Sequence, residues 1–322
     1  MQPLTVALYP QIEAHDRGLL AVSDGNAISW EVSGSPKGKA AVVLHGGPGQ
    51  GSSPNMRRAF DPEKYRVILF DQRGCGRSTP HASDPATEMR FNTTERLIAD
   101  MEALREHLGV DRWLVSGGSW GAALAVAYAE QHPSRVSALV LNTVTTARRS
   151  EAAWLYGGLA RIFPEAAEQF RRHVPEARDG DVIAAYARRM EHPDRSVRLL
   201  AARAWCAWEE AALSLEPAGA SGPFSTLSAE DAIAFTRICT HYLRHGAWLA
   251  EGALIRDAGR LSGIPGVLVH GRRDLACPVD TAYLLARAWP GSRLIVLDDA
   301  GHLGSDSKRR ALLNALDGFA LR

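Results

Sequence analysis

No stretch of this 322-residue chain is apolar for long enough to cross a bilayer, and no apolar N-terminal run with a basic flank is present. Neither a membrane span nor a secretory signal is therefore expected. The formal net charge is only +1, which leaves no global field to draw nucleic acid or an anionic membrane. There are four cysteines (Cys75, Cys206, Cys239 and Cys277), without CxxC spacing, so neither a zinc site nor a disulfide framework is indicated. A phosphate-cradling GxxxxGK[ST] loop is missing, as are internal repeats and low-complexity segments. No cofactor and no metal are expected. What is present is 46% hydrophobic and 23% charged residues, the balance of a soluble globular protein with a large core, by default cytoplasmic.

Apolar runs bounded by turn residues predict strands at Leu19–Ser23, Ala27–Val32, Ala40–Leu44, Arg66–Phe70, Trp113–Val115, Val136–Leu141, Gly266–His270 and Leu294–Leu297. The first two are joined by an Asp24-Gly25 hairpin turn. Helical spacing over Thr93–Leu108, capped within Asn92-Thr93-Thr94-Glu95, and a closing helix from about Ser307 alternate with these strands. Such alternation predicts a mostly parallel sheet of eight strands with helices on both faces. From about residue 149 to 261 the pattern is helical throughout, with four tryptophans (154, 205, 208 and 248). Pro164, Pro175, Pro193 and the Glu216–Pro223 stretch divide it. This block reads as a helical cap domain inserted into a core made of residues 1–148 and 262–322.

One stretch organises the chain: Gly117-Gly118-Ser119-Trp120-Gly121, between an apolar strand and an alanine-rich helix. Ser119 falls at the apex of G-x-S-x-G, where a nucleophile needs a strained turn and small neighbours. A serine hydroxyl needs a base, and the base an orienting acid. His302 is the sole histidine after Asp274, in a loop just beyond the last strand. Asp274 closes a strand end and can hold the imidazole tautomer that frees its other nitrogen. Asp298 and Asp299 are competing acids, close enough to His302 in sequence to be loop-shaping residues. Acyl transfer also needs oxyanion donors. The Trp120 N–H follows the nucleophile, and the His45-Gly46-Gly47-Pro48-Gly49 loop supplies the other, with Gly47 the choice and Gly46 the alternative.

With these residues in hand the chain resembles the prolyl aminopeptidases (proline iminopeptidases), serine aminopeptidases of the α/β-hydrolase fold. The resemblance runs from Leu8-Tyr9-Pro10 through His45–Gly49, Phe70–Ser78, Gly117–Gly121, Trp208-Glu209 and His270–Asp274 to Ala300-Gly301-His302. It implies a Ser119, Asp274, His302 triad, with Gly47 and Trp120 as oxyanion donors, and release of an N-terminal proline. In that family two cap glutamates hold the substrate amine, an arginine braces them, and an aromatic contributes to the proline pocket. Glu209 matches the first glutamate. Cys239 stands in place of the second, Asn142 in place of the arginine, and Thr145 in place of the aromatic.

These departures keep three readings open. The first is an aminopeptidase or amidase acting on short peptides. The second is an esterase or amidase on another small metabolite, with a redesigned cap pocket. The third is a non-catalytic binding protein on the same scaffold, disfavoured because the expected machinery is all present. Epoxide hydrolase and dehalogenase chemistry is disfavoured because it uses an aspartate where this chain has Ser119.

Overall fold

The computed structural model describes residues 7–177, 181–215 and 224–320. Eight strands form one sheet: β1 (Ala14–Ala21), β2 (Ala27–Gly34), β3 (Lys39–Leu44), β4 (Tyr65–Phe70), β5 (Trp113–Ser119), β6 (Val136–Val144), β7 (Gly266–Gly271) and β8 (Ser292–Leu297). Their spatial order is β1-β2-β4-β3-β5-β6-β7-β8. The first three neighbours pair antiparallel, and every pair from β4–β3 onward is parallel. The β1–β2 hairpin closes through Asp24 and Gly25 with φ of 61° and 71°, the left-handed pair that an Asp-Gly turn supplies.

One strand start shifts, and the first helix is capped within the expected stretch. The first strand begins at Ala14 rather than Leu19 and ends at Ala21, because this edge strand exposes most of its residues and carries no apolar alternation to mark its start. The first helix, α1 (Thr94–His107), is capped by the Thr93 hydroxyl. Its neighbour Asn92 donates its side-chain amide to the Arg73 carbonyl.

Alternate residues of the central strands feed two cores, since successive side chains point to opposite faces. Val42, Ile68, Val115 and Leu139 pack beneath α1 and the elbow helix α2 (Trp120–Gln131). Ala41, Val67, Leu114 and Val140 pack against Leu316 and Phe319 of the C-terminal helix at Asp306–Ala320. Between β6 and β7 the described residues are helical: α3 (Arg149–Tyr156), α4 (Pro164–Arg172), α5 (Val182–Met190), α6 (Arg195–Leu213), α7 (Ala229–Arg244) and α8 (Ala253–Arg256), with short 3-10 turns. The Glu216–Pro223 punctuation lies outside the described residues. These helices share their own core, in which Phe170 stacks on Tyr186 at 4.5 Å and on Trp208 at 5.3 Å. Among the described residues no helix is long and apolar enough to cross a membrane.

Candidate active site

The carboxyl ends of β3, β5, β6, β7 and β8 converge at one edge, where open parallel sheets leave room for ligands. Ser119 ends β5 with φ 55° and ψ −127°, a conformation that non-glycine residues rarely adopt. The turn is possible because its neighbours lack side chains. A Cβ on Gly117 would meet the Gly121 carbonyl oxygen at 2.3 Å, and one on Gly121 would meet the Leu44 oxygen at 2.2 Å. Trp120 opens α2, so its N–H has no acceptor within the helix. Its indole donates to Gln72 Oε1 at 2.9 Å, and the Gln72 amide donates to the His45 carbonyl at 3.0 Å. The elbow and the glycine loop after β3 are thereby tied together.

In that loop Gly47 has φ 114°, and a Cβ there would meet the Gly49 nitrogen at 2.7 Å. Gly46 lies against the elbow serine, where an added Cβ would be 3.5 Å from Ser119 Cβ. Asp71 holds the facing loop by accepting from Ser52 N, Ser52 Oγ, Arg77 N and Arg77 Nε. Arg73 pairs bidentately with Asp100 at 2.6 and 2.8 Å.

His302 Nδ1 lies 3.1 Å from both carboxylate oxygens of Asp274. Burial pushes the Asp274 carboxyl up, but the neighbouring His302 and His270 and the Cys277 N–H outweigh it and leave the group below its ordinary value. Asp274 therefore stays ionised in a dry site. His270 is fully buried and bridges two loops, accepting from Val144 N at 3.0 Å and donating through Nε2 to the Cys277 carbonyl at 2.8 Å. Burial lowers its pKa, which keeps this bridging imidazole neutral. The His302 loop is anchored by buried Lys308, which donates to the carbonyls of Gly301 and His302 at 3.1 and 2.8 Å. Asp298 pairs instead with Arg272, and Asp299 accepts from Ser307 Oγ at 2.6 Å.

Two cavities meet at Ser119. The larger, about 430 Å³, is lined by Gly46, Asn142, Glu209 and His302 among others. The second, about 310 Å³, takes in Pro48, Thr145, Arg148 and Cys239. Gly47, Tyr156 and Cys277 border both. Glu209 is 9% exposed and accepts the Tyr156 hydroxyl at 2.6 Å. Burial raises its carboxyl above the ordinary glutamate range, and Tyr156 and His302 pull it partly back. Its neighbour Glu210 is used differently, accepting the backbone N–H groups of Phe224 and Ser225 at 2.7 and 2.6 Å.

Cys239 donates its thiol to the Pro48 carbonyl at 3.2 Å, and burial and nearby Glu209 hold that thiol protonated. Asn142 turns its amide under the elbow, donating to the Gly117 carbonyl at 3.4 Å. Thr145 borders the second cavity without closing it.

Sequence reasoning did not single out Tyr156, Cys277 or Thr143. Cys277 is kept protonated by burial and Asp274, and with Ser119 it lines both cavities. One ligand-type atom each from Asp274, Cys277 and His302 lies within 4.8 Å of the others, so a divalent ion could be held there only at the expense of the Asp274–His302 pair. The helical periodicity around Trp154-Leu155-Tyr156 gives no hint that this tyrosine reaches a carboxylate 53 residues away.

A family model described as alpha/beta hydrolase fold matches residues 40–308. A Streptomyces coelicolor protein named a probable proline iminopeptidase is 48% identical over 98% of both chains. A Xanthomonas citri proline iminopeptidase is 45% identical, covering 97% of this chain and 99% of its own. The chain belongs to the proline iminopeptidase family of α/β-hydrolases. Among solved structures it is similar in fold to a proline iminopeptidase of Mycobacterium smegmatis (TM-score 0.60, 20% identity, 95% and 99% coverage). A thermophilic esterase of Thermogutta terrifontis shares the fold at TM-score 0.56 and 21% identity, over 94% of this chain and 97% of its own.

Proposed function

We propose that this protein is a serine exopeptidase that releases an N-terminal proline, or another small residue, from short peptides or amides. The observation that carries the reading is one cavity holding Ser119, His302 and a buried Glu209, with His302 backed by Asp274 at 3.1 Å. Ser119 Oγ attacks the carbonyl carbon of the first residue while His302 takes the hydroxyl proton. Asp274 accepts from Nδ1 and stabilises the imidazolium. The tetrahedral oxyanion receives the N–H groups of Trp120 and Gly47; losing one such donor costs about 2.7–4 kcal/mol of transition-state stabilisation. The imidazolium then protonates the leaving amine, and water repeats the sequence on the acyl-enzyme.

Glu209 takes the free amine of the substrate. Residues 149–261 act as the cap that encloses it, a division supported by their separate aromatic core. The names of the relatives point to the same substrate class, since they are proline iminopeptidases at 45–48% identity. A second reading, esterase or amidase action on a substrate without an amine, is favoured by one observation. Cys239 spends its thiol on Pro48 and offers no second carboxylate beside Glu209.

A panel of prolyl and alanyl p-nitroanilides beside simple esters, run with Ser119→Ala, separates these. Release of p-nitroaniline from the prolyl substrate, abolished in the variant, is expected. Turnover of esters with no turnover of any free-amine substrate would replace the first reading by the second.

A further inference from the structure

From the bracket between β5 and β6, we infer that Thr143 is a positioning residue for the nucleophile: it holds the strained Ser119 backbone in its attacking conformation. The inference rests on Ser119 being the nucleophile. In the β5–β6 ladder Gly118 faces Asn142 and Ser119 faces Val144, so Thr143 is an extra residue, a bulge beside the elbow. Bulges of this kind re-aim side chains next to active sites. Thr143 itself has φ 42°, in the left-handed region that a β-branched residue avoids, and is 3% exposed. The reward for that conformation is polar. Its Oγ1 accepts the Ser119 N–H at 3.1 Å and donates to Asn142 Oδ1 at 3.1 Å. Asn142 Nδ2 returns to the Gly117 carbonyl at 3.4 Å.

The loop of hydrogen bonds therefore runs from Gly117 through Asn142 and Thr143 to Ser119. It spans both residues whose backbone changes direction at the elbow. The next amide along β6, Val144 N–H, is taken by the buried His270 imidazole, so the bulge is held from both sides. Two strained residues on adjacent strands, Ser119 and Thr143, are thus each held by a contact with the other strand. Strain of this sort persists only where surrounding structure over-determines it. Without the hydroxyl, the Ser119 N–H would be left without its acceptor, and the elbow could relax away from the oxyanion donors.

The test uses the full-length protein and three variants. Thr143→Val keeps shape and removes the hydroxyl, Thr143→Ser keeps the hydroxyl, and Thr143→Gly removes the hydroxyl while relieving the φ strain. Three quantities are read: the second-order rate of labelling by a fluorophosphonate probe, kcat and KM on the best substrate, and the thermal midpoint. Thr143→Val is expected to lose about tenfold in labelling rate and in kcat, with KM changed by less than about twofold. Thr143→Ser should stay within about threefold of the parent. Thr143→Gly should lose catalysis like Thr143→Val while its midpoint stays at or above that of Thr143→Val.

Labelling of Thr143→Val at the parent rate, or a loss in Thr143→Ser equal to that in Thr143→Val, overturns the inference. If Thr143→Val does not fold, the ratio of Thr143→Ser to Thr143→Gly decides by the same margin. Failure of the parent to label at Ser119 is a separate result, and overturns the nucleophile assignment instead.

Discussion

Replacing Glu209 by Gln tests the amine subsite with little change of shape. The carboxylate is nearly enclosed, at 9% exposure, and already accepts one hydrogen bond from Tyr156. A substrate ammonium would add a second, charge-assisted bond to a carboxylate that has little contact with solvent. Such bonds contribute about 1.5–3 kcal/mol, and each 1.36 kcal/mol is a factor of ten in rate. Glu209→Gln should therefore lower kcat/KM for prolyl p-nitroanilide by roughly 10- to 150-fold. An ester of matched size without an amine should change by less than about threefold, because that interaction is never made.

The pH dependence adds a second check. Burial holds the Glu209 carboxyl above its ordinary range, so on acidification it protonates before an exposed glutamate would. The ratio of kcat/KM on the amine substrate to that on the ester cancels every group the two reactions share. This ratio should fall as pH drops through the raised Glu209 value, and Glu209→Gln should abolish that fall. The alkaline decline of the ratio, near the substrate amine's own pKa of about 8, should survive the substitution. A Glu209→Gln enzyme that keeps its amine-to-ester preference at all pH values refutes the assignment.

Two further outcomes follow from the same geometry. Asp274→Asn should leave KM near its parent value and cut kcat by about four orders of magnitude, since an amide facing His302 Nδ1 stabilises the wrong tautomer; steady-state kinetics with a circular-dichroism control checks it. Glu130, buried in the last turn of α2, has its carboxyl raised to about 8 by burial and by Asp257, against an ordinary 4.5. The folded state then binds the proton more tightly than the unfolded state, so this group stabilises fully below pH 4.5 and loses that contribution as pH rises towards 8. Glu130→Gln should raise stability at pH 8 by about 1–3 kcal/mol and leave it unchanged near pH 4, as read from urea midpoints at both pH values.

The parts of this site that could be read in the chain are those whose constraint is local or ordinal. Gly117 and Gly121 announce the elbow because any side chain there would overlap backbone at 2.2–2.3 Å. His302 was legible because chain order left a single histidine beyond Asp274, and Asp-Gly at 24–25 because its turn needs two positive φ values. The illegible parts depend on tertiary pairing. A single extra residue at Thr143 leaves the apolar pattern of β6 intact, so nothing in Val136–Val144 marks a bulge. Tyr156 reaches Glu209 across 53 residues, and the amide of Asn142 turns under the elbow; both depend on packing that no periodicity encodes. The edge strand β1 escaped at its start because its exposed side chains carry no burial pattern.

The three departures from the family pattern act together in physical terms. A glutamate at position 239 would put a second carboxylate beside one already destabilised by burial, and two such groups need a cation between them. With Cys239 there, the second acid is gone and its thiol ties α7 to the glycine loop after β3 through Pro48. The same helix is strapped down by Arg237, which donates to the carbonyls of Ala82, Asp84 and Thr87. On the proposed amine reading, with Glu209 the one acid left, an arginine at position 142 would bring the pair to zero and cancel the attraction for a substrate ammonium. Asn142 avoids that cost and supplies the Thr143 bracket. Two glutamates with one arginine and Glu209 alone both sum to −1, so the proposed attraction for a single ammonium would be retained. What is lost is redundancy. On the proposed reading amine recognition falls on Glu209 alone, and for that reason Glu209→Gln should cost this enzyme more of its amine preference than a single substitution would cost a relative carrying both acids.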